Sequence, residues 1–380
     1  MAQAKRNLLP IGIHLTPDAV HMVQLEQSAN GVKVVSKASC RLSTSAETIA
    51  RVIAAGDGTG EALGSDGVPV GVRMDDATYG RAQQFVRQTV AADGFRNKEV
   101  VINLPQEHLV IQHVRMPPMQ PEELKAALSY ELQGKLPFDL QAAVVRHIVA
   151  GTVSENNETK HDVLVLAVPR HIVEKHVSGM TRMGLTVIGV GVESCAMCYC
   201  YAFAASHSEA SQAGPLCVMI VYLGARATHV AILRGQETTF VKGIGQGTDH
   251  LIETVSKVKG ISLEEAADLV ETWRQSAESA TLDEAVETYN RSRRSLDYLT
   301  DEIESCIRYH ASLARGAGVD RLYFVGPGAA DRALVCVLRA RLHIPCEVGD
   351  PFGAVMGKAD PETAEPEMTV AVGLSLFGAQ

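Results

Sequence analysis

The sequence lacks any long hydrophobic segment. No apolar run reaches the roughly 18–20 residues that are needed to cross a bilayer. Residues 1–15 contain Lys and Arg, but no apolar core followed by a small-residue cleavage site. We therefore expect a cytoplasmic protein that reaches a membrane only through a partner.

The sequence also lacks an excess of basic residues. It has 35 Lys and Arg against 44 Asp and Glu, which gives a formal net charge of −9. Nucleic-acid-binding proteins usually present a basic face, so we expect no nucleic-acid partner. A length of 380 residues with 46% hydrophobic residues allows one large or two medium domains with a sizeable core.

Recognisable metal and catalytic motifs are missing as well. The cysteine cluster Cys195, Cys198 and Cys200 has no second CxxC or HxxxH pattern at a zinc-finger distance. It lies in an apolar segment that is typical of a buried helix, so we expect reduced, buried thiols. No GxSxG, HExxH or P-loop sequence is present.

A repeated pattern is what the sequence does contain. Residues 9–39 give three strand candidates separated by tight turns, and residues 215–247 give three more. Helical segments follow each block, which predicts a duplicated α/β architecture. Ligands of such proteins bind between the two halves, at loops that follow strand ends.

Two segments of the first half interrupt this pattern. Residues 54–71 are rich in glycine and acidic residues and are predicted to form an exposed loop. Residues 108–139 predict a strand, a proline-rich corner and a helix, and residues 143–169 predict a hairpin with a polar tip.

The order of these segments resembles the actin-like ATPases. The first hairpin, the second hairpin and "FVGPGAA" stand where that fold has its phosphate-1, phosphate-2 and adenosine motifs. The intervening stretches resemble the PilM family of type IV pilus assembly proteins, and the similarity spans nearly the whole chain. They are "LPQEHLVIQHVRMPPMQPEELKAALSYELQGKLPFD", "GIGQGTDHLIETVSKVKGISLEEAADL", "HIPCEVGDPF" and "TVAVGLSLFG".

The resemblance implies a duplicated actin-like (ribonuclease H-like) fold, with two lobes around a central cleft and a small subdomain inserted in the first lobe. It divides the chain into a first lobe, an insert with the return to that lobe, a connecting helix, a second lobe and a C-terminal segment that returns to the first lobe. These parts are residues 1–104, 105–185, 186–214, 215–358 and 359–380.

The resemblance also marks a degenerate nucleotide site. In an actin-like site, backbone N–H groups of the two hairpin turns hold the phosphates, and an Asp at each strand end organises Mg²⁺. Here His14 and Tyr222 occupy the Asp positions, and Pro17 removes one donor from the first turn. The residues implied for nucleotide binding are His14, Leu15, Thr16, Gly224, Ala225, Arg226, Thr228, Gly326 and Gly328.

Imidazole and phenol groups are poor Mg²⁺ ligands, since this ion prefers anionic oxygens and water. We therefore expect a pseudo-ATPase that binds ATP weakly or not at all and does not hold Mg²⁺ as active relatives do. His14 also fits an ordinary strand-end histidine with its hydrogen bonds satisfied.

Three further assignments stay open. Glu193 either faces the cleft or caps the next helix. Residues 243–250 either accept phosphate or form a helix entry capped by Thr248 or Asp249. Residues 291–294, "RSRR", are typical of a solvated helix face.

As a PilM relative, the protein would be a scaffold of a pilus or related secretion machine at the inner membrane. It would bind the cytoplasmic tail of a bitopic PilN-like protein, beside other membrane components. An extended peptide gains main-chain hydrogen bonds while its apolar side chains fill pockets. We predict its groove at "VRMPPM", which also fits an ordinary core corner: Val114, Arg115, Met116, Pro117, Pro118 and Met119.

Two other functions remain, and a homodimer is left open. An active ATPase or sugar kinase would need a carboxylate near the phosphates, for which Asp18 and Glu193 are candidates. A filament-forming actin homologue has no sequence motif that would identify it.

Overall fold

The computed structural model describes ten ranges of the chain: residues 7–28, 31–43, 74–92, 94–155, 158–207, 215–276, 278–291, 293–313, 318–357 and 363–378. The loop predicted at residues 54–71 lies outside them. Within these ranges, no helix combines the length and the apolar character that a membrane span requires.

The first lobe is built on a five-stranded sheet of order β3-β2-β1-β4-β8. Strands β1 to β3 are antiparallel, while β4 and β8 are parallel to β1. Helices α1 (Asp76–Ala91) and α3 (Arg170–Arg182) pack on its outer face. The strands are β1 (Asn7–Leu15), β2 (Ala19–Ser28), β3 (Gly31–Arg41), β4 (Glu99–Leu104) and β8 (Thr186–Val192).

The second lobe repeats this topology with the order β11-β10-β9-β12-β13. Again the first three strands are antiparallel and the last two run parallel to the central strand. The prediction of a duplicated architecture is therefore confirmed. The strands are β9 (Cys217–Leu223), β10 (Thr228–Arg234), β11 (Glu237–Ile244), β12 (Arg321–Val325) and β13 (Cys346–Val348).

Helices fill the space on both sides of the second sheet. Its outer face packs against α5 (Thr248–Lys259), α6 (Leu263–Gln275), α7 (Ser279–Arg291), α8 (Arg293–Leu313) and α9 (Arg332–Arg341). Between the two sheets lie α4 (Glu193–His207), α10 (Pro351–Met356) and α11 (Thr369–Ser375). The core that joins the lobes therefore includes the C-terminal helix.

An insert of three strands and one helix separates β4 from α3. It consists of β5 (Val110–Met116), α2 (Pro121–Glu131), β6 (Ala143–Glu155) and β7 (Glu158–Pro169), and its sheet has the order β5-β7-β6. Because side chains alternate along a strand, Val163 and Val165 pack under α2, while Leu164 faces the core between the lobes.

The segment predicted as a connecting helix, residues 186–214, begins with a strand. Residues 186–192 form β8, an edge strand of the first sheet, and the helix starts at Glu193.

Candidate functional site

A cleft of about 740 Å³ opens between the lobes. It is lined by the β1–β2 turn, the β9–β10 turn and the short 3-10 turn at Pro327–Ala330. We call it the cleft. Five of the nine predicted nucleotide-binding residues line it, and the other four lie beside or behind these turns. The five are Leu15, Thr16, Gly224, Ala225 and Arg226.

The floor of the cleft is a buried polar cluster centred on Glu193. Nε2 of His14 donates to Glu193 Oε1 at 3.3 Å, and Nδ2 of Asn103 donates to the same oxygen at 3.3 Å. Nε2 of His229 lies 3.6 Å from Glu193 Oε2. One carboxylate at the start of α4 is thus shared by a histidine of the first lobe and a histidine of the second.

This cluster holds Glu193 as an anion. Burial alone would raise the pKa of Glu193, but the hydrogen bond from His14, the electrostatic influence of both histidines and the bond from Asn103 together hold it below its usual value. Burial lowers the pKa of His229, and Glu193 partly opposes that shift. The floor therefore contains a carboxylate whose oxygens already have protein partners.

Tyr222 occupies the second strand end as a neutral phenol. Burial, with Glu193, Asp18 and Glu367 nearby, raises its pKa well above the usual value. Gly326 has φ +82°, and a Cβ there would lie 2.9 Å from the Tyr222 ring. The glycine predicted from the adenosine motif is therefore needed both for its backbone conformation and for its contact with this ring.

The first turn uses its own backbone donors. The N–H of Thr16 bonds to the Ala19 carbonyl at 2.9 Å, and the N–H of Ala19 bonds to the Thr16 hydroxyl at 3.0 Å. Pro17 has no N–H group, and the Asp18 N–H lies 3.4 Å from the Thr16 hydroxyl. The turn has the outline of a phosphate loop, but its donors are directed inward.

The second turn is joined to the start of α5 in a similar way. The N–H groups of Thr248 and Asp249 bond to the carbonyls of Gly224 and Ala225 at 3.0 and 2.8 Å. Thr228 donates its hydroxyl to the Gln246 carbonyl at 2.8 Å. Two N–H groups that a helix N-terminus could offer to an anion are therefore already bonded.

Asp249, at the start of α5, is a buried carboxyl. Among the described residues neither of its oxygens has a hydrogen-bond partner. Burial and the nearby Asp18 raise its pKa to about 7, against the opposing effect of Arg226 and Arg274. One alternative for residues 243–250 was a helix entry capped by Thr248 or Asp249. The side chain of Asp249 makes no capping hydrogen bond.

The mouth of the cleft carries an ion pair between the lobes. Arg41, at the end of β3, lies 3.4 Å from Glu271 of α6. Asp18 also lines the cleft and accepts a hydrogen bond from Ser43 at 3.2 Å. Among the described residues no group of three or more His, Cys, Asp and Glu side chains is arranged to hold a metal ion.

A second cavity, of about 1100 Å³, opens between the insert and the first lobe. We call it the groove. Its walls come from one face of β6 and β7, from β8, from α4, and from the end of α11 with the residues that follow it; the β10–β11 turn lies at one side. Apolar side chains from these walls include Val144, Ile148, Leu166, Val168, Val190 and Phe203.

The predicted partner-binding segment lies elsewhere on the insert. Val114, Met116 and Met119 pack into the small core beneath α2. Arg115, Pro117 and Pro118 are exposed, and none of the six residues lines the cleft or the groove. The assignment of these residues to a partner stays a prediction. Of the "RSRR" stretch, Arg291 is exposed, and the other side chains lie outside the described residues.

Sequence reasoning missed His229 and Asn103 as members of the floor. His229 follows Thr228 directly in the second motif, and Asn103 stands at the end of β4 just as His14 stands at the end of β1. A polar residue near the end of a buried strand was the available signal.

Comparisons with known proteins agree with this architecture. The sequence matches the family model described as type IV pilus assembly protein PilM over residues 61–378. The structure is similar to that of a PilM-PilN type IV pilus biogenesis complex, with 20% identity, 98% of each chain covered and a TM-score of 0.69. It is also similar to the ethanolamine utilization protein EutJ from Carboxydothermus hydrogenoformans, with 15% identity, 99% of this chain and 91% of that chain covered, and a TM-score of 0.51. The fold is actin-like, as predicted, and the chain belongs to the family of the type IV pilus assembly protein PilM.

Proposed function

We propose that this protein is an adaptor of a type IV pilus or related secretion machine and that its groove binds the cytoplasmic tail of a PilN-like inner-membrane protein. The observation that carries the proposal is the groove itself, an apolar channel bordered by two sheet edges. One solved structure with a similar fold is a PilM-PilN complex, which supports a partner of this class.

The groove has the two properties that an extended peptide requires. Strands β6 and β8 are each paired on one side only among the described strands. An unpaired edge offers backbone donors and acceptors to an added strand. Apolar side chains such as Ile148 and Phe203 form the walls, so alternate side chains of the peptide would be buried there.

The cleft supports a pseudo-ATPase. Glu193 is bonded to His14 and Asn103, Tyr222 stays neutral, and the N–H groups of the first turn bond within that turn. This floor does not fit a Mg²⁺–phosphate group, because Mg²⁺ needs anionic oxygens that are free to ligate it. We propose that ATP binds weakly or not at all and that hydrolysis is negligible.

Membrane association follows from the partner in this proposal. The protein would lie at the cytoplasmic face of the inner membrane because the PilN-like tail holds it there. The part of the chain that the structure describes contains no helix that could span the membrane by itself.

The test is binding of a synthetic peptide that copies the cytoplasmic tail of the PilN-like protein from the same organism. Phe377 is 42% exposed and lines the groove, whereas Tyr130 is 81% exposed on α2, away from it. Phe377→Glu should weaken binding by at least about tenfold, and Tyr130→Glu should leave it unchanged. Equal affinity of the two variants would reject the groove as the binding site.

A further inference from the structure

The cleft and the groove share a wall. Leu109 lines both cavities, and it follows a short 3-10 turn between β4 and β5. Immediately before it in the chain, Leu104 faces the groove while Pro105 and Gln106 face the cleft. A movement of this segment would change the shape of both cavities.

The start of α4 is shared in the same way. Glu193 lines the cleft, while Val192, Cys195 and Ala196 line the groove. These residues lie within one helical turn of Glu193, so the contacts of its carboxylate fix the position of that part of the groove wall.

The second lobe also contributes to the groove. Gln236, Glu237 and Thr238, from the β10–β11 turn and the start of β11, line one side of it, and Thr238 lies beside the Cys198 thiol of α4. The insert is attached to the same lobe, since Nε2 of His113 donates to the Val241 carbonyl at 3.2 Å. The width of the groove therefore depends on how the second lobe sits against the first.

This inference rests on the peptide-binding function proposed above. We propose that the contact between Glu193 and His229, which we call the latch, couples peptide binding in the groove to closure of the two lobes. The latch joins the start of α4 to β10, the strand that leads into the β10–β11 turn. With the latch closed, all walls of the groove are in place.

Thermodynamic linkage between peptide binding and closure of the lobes gives the direction in which loss of the latch changes the peptide affinity. If the peptide binds the closed arrangement, its apparent affinity falls in proportion to the fraction of molecules that are closed. Loss of the latch lowers that fraction. By reciprocity, bound peptide must stabilise the contact across the floor of the cleft, although the peptide itself does not enter the cleft.

The experiment combines peptide affinity with hydrogen exchange, using the full chain and the peptide described above. His229→Phe keeps a ring of similar size but removes the contact with Glu193. His21→Phe is the matched control, because His21 is another buried histidine of the cleft whose ring bonds to Ser39 and not to Glu193. Glu193→Gln is the second test variant, since it keeps the shape of the side chain and removes its charge.

In the wild type, peptide should slow amide exchange across residues 224–231, which line or border the cleft. His229→Phe should bind the peptide about tenfold more weakly and show little of this protection, with Glu193→Gln changed in the same direction. His21→Phe should stay within about twofold of the wild type.

Two results would overturn the latch. One is wild-type affinity in both His229→Phe and Glu193→Gln, and the other is peptide binding without any change in exchange across residues 224–231. If either occurs while Phe377→Glu still weakens binding by at least about tenfold, the peptide-binding function stands and only the latch is rejected. If wild-type protein does not bind the peptide, both proposals fail.

Discussion

Gly373 of α11 packs directly against the backbone carbonyl of Ala196 in α4. A Cβ at position 373 would collide with that carbonyl oxygen, and a Cβ at Gly12 of β1 would collide with the carbonyl of Ala371. Helix α11 thus lies in backbone contact with both α4 and the first sheet. This close packing forms the core between the lobes from which the cleft and the groove open.

The first prediction concerns the contact between α11 and α4 at Gly373. Gly373→Ala should destabilise the protein by at least about 2 kcal/mol, because a methyl group has no space against a backbone carbonyl. Gly80→Ala is the control, since a Cβ at this exposed position of α1 meets nothing within 4 Å. It should stabilise the protein by about 0.5–1 kcal/mol through helix propensity. Chemical denaturation of both variants measures the difference, and equal stabilities would contradict the packing described.

The second prediction is an acid sensitivity that His21 causes. Burial, with His14 nearby, lowers its pKa from 6.5 to about 3. Between pH 3 and pH 6.5, the unfolded chain therefore binds a proton at His21 that the folded protein does not bind. The contribution of the neutral, buried His21 ring to the free energy of unfolding is complete above pH 6.5 and is lost as the pH falls towards 3.

Lowering the pH from 7.5 to 5.5 should then cost about 1.4 kcal/mol through His21 alone. Replacement by Phe should remove that part of the pH dependence, as measured by urea unfolding at both pH values. If the free energy of unfolding of His21→Phe depends on pH as strongly as that of the wild type, His21 is not buried in its neutral form.

The third prediction concerns Asp249, whose shift has the opposite sign. Its pKa is raised from 3.8 to about 7, so its stabilising contribution is complete below pH 3.8 and is lost as the pH rises through 7. Asp249→Asn should therefore stabilise the protein at pH 8, by up to about 4 kcal/mol, and by less at pH 5. Thermal unfolding at both pH values tests this, and a destabilised variant at pH 8 would mean that the carboxylate has a partner.

The fourth prediction concerns nucleotide. Calorimetric titration with ATP should show binding weaker than about 10 μM, or none, and addition of Mg²⁺ should not improve it. Phosphate release should stay at the level of a blank without protein. Tight binding that depends on Mg²⁺ would show that Asp18 or another cleft carboxylate replaces the missing pair, and the active-ATPase alternative would then return.

Much of the fold could be predicted from the sequence. The two blocks of three strands carry alternating or continuous apolar residues with turn signals between them, and these local patterns gave the duplicated sheets. The order of the motifs placed Thr16 and Gly224 at one cleft, because the turns that carry them follow β1 and β9, the equivalent central strands of the two sheets.

The contacts within the site could not be predicted in the same way. Glu193 is 179 residues from His14 in the chain, and only the packing of the lobes brings the two side chains together. The groove could not be predicted from the sequence either. Both faces of β7 are apolar, with Val163 and Val165 on one and Leu164 and Leu166 on the other. The sequence does not show that α2 covers only the first face.

The most direct measurement is the affinity of the PilN-like tail peptide for the wild type and for Ala202→Trp, which places a large ring in the groove. Ala126→Trp, on the exposed side of α2, is its control. The proposed function predicts that the wild type and Ala126→Trp bind the peptide equally and that Ala202→Trp does not bind it. Binding by Ala202→Trp at wild-type affinity would contradict it.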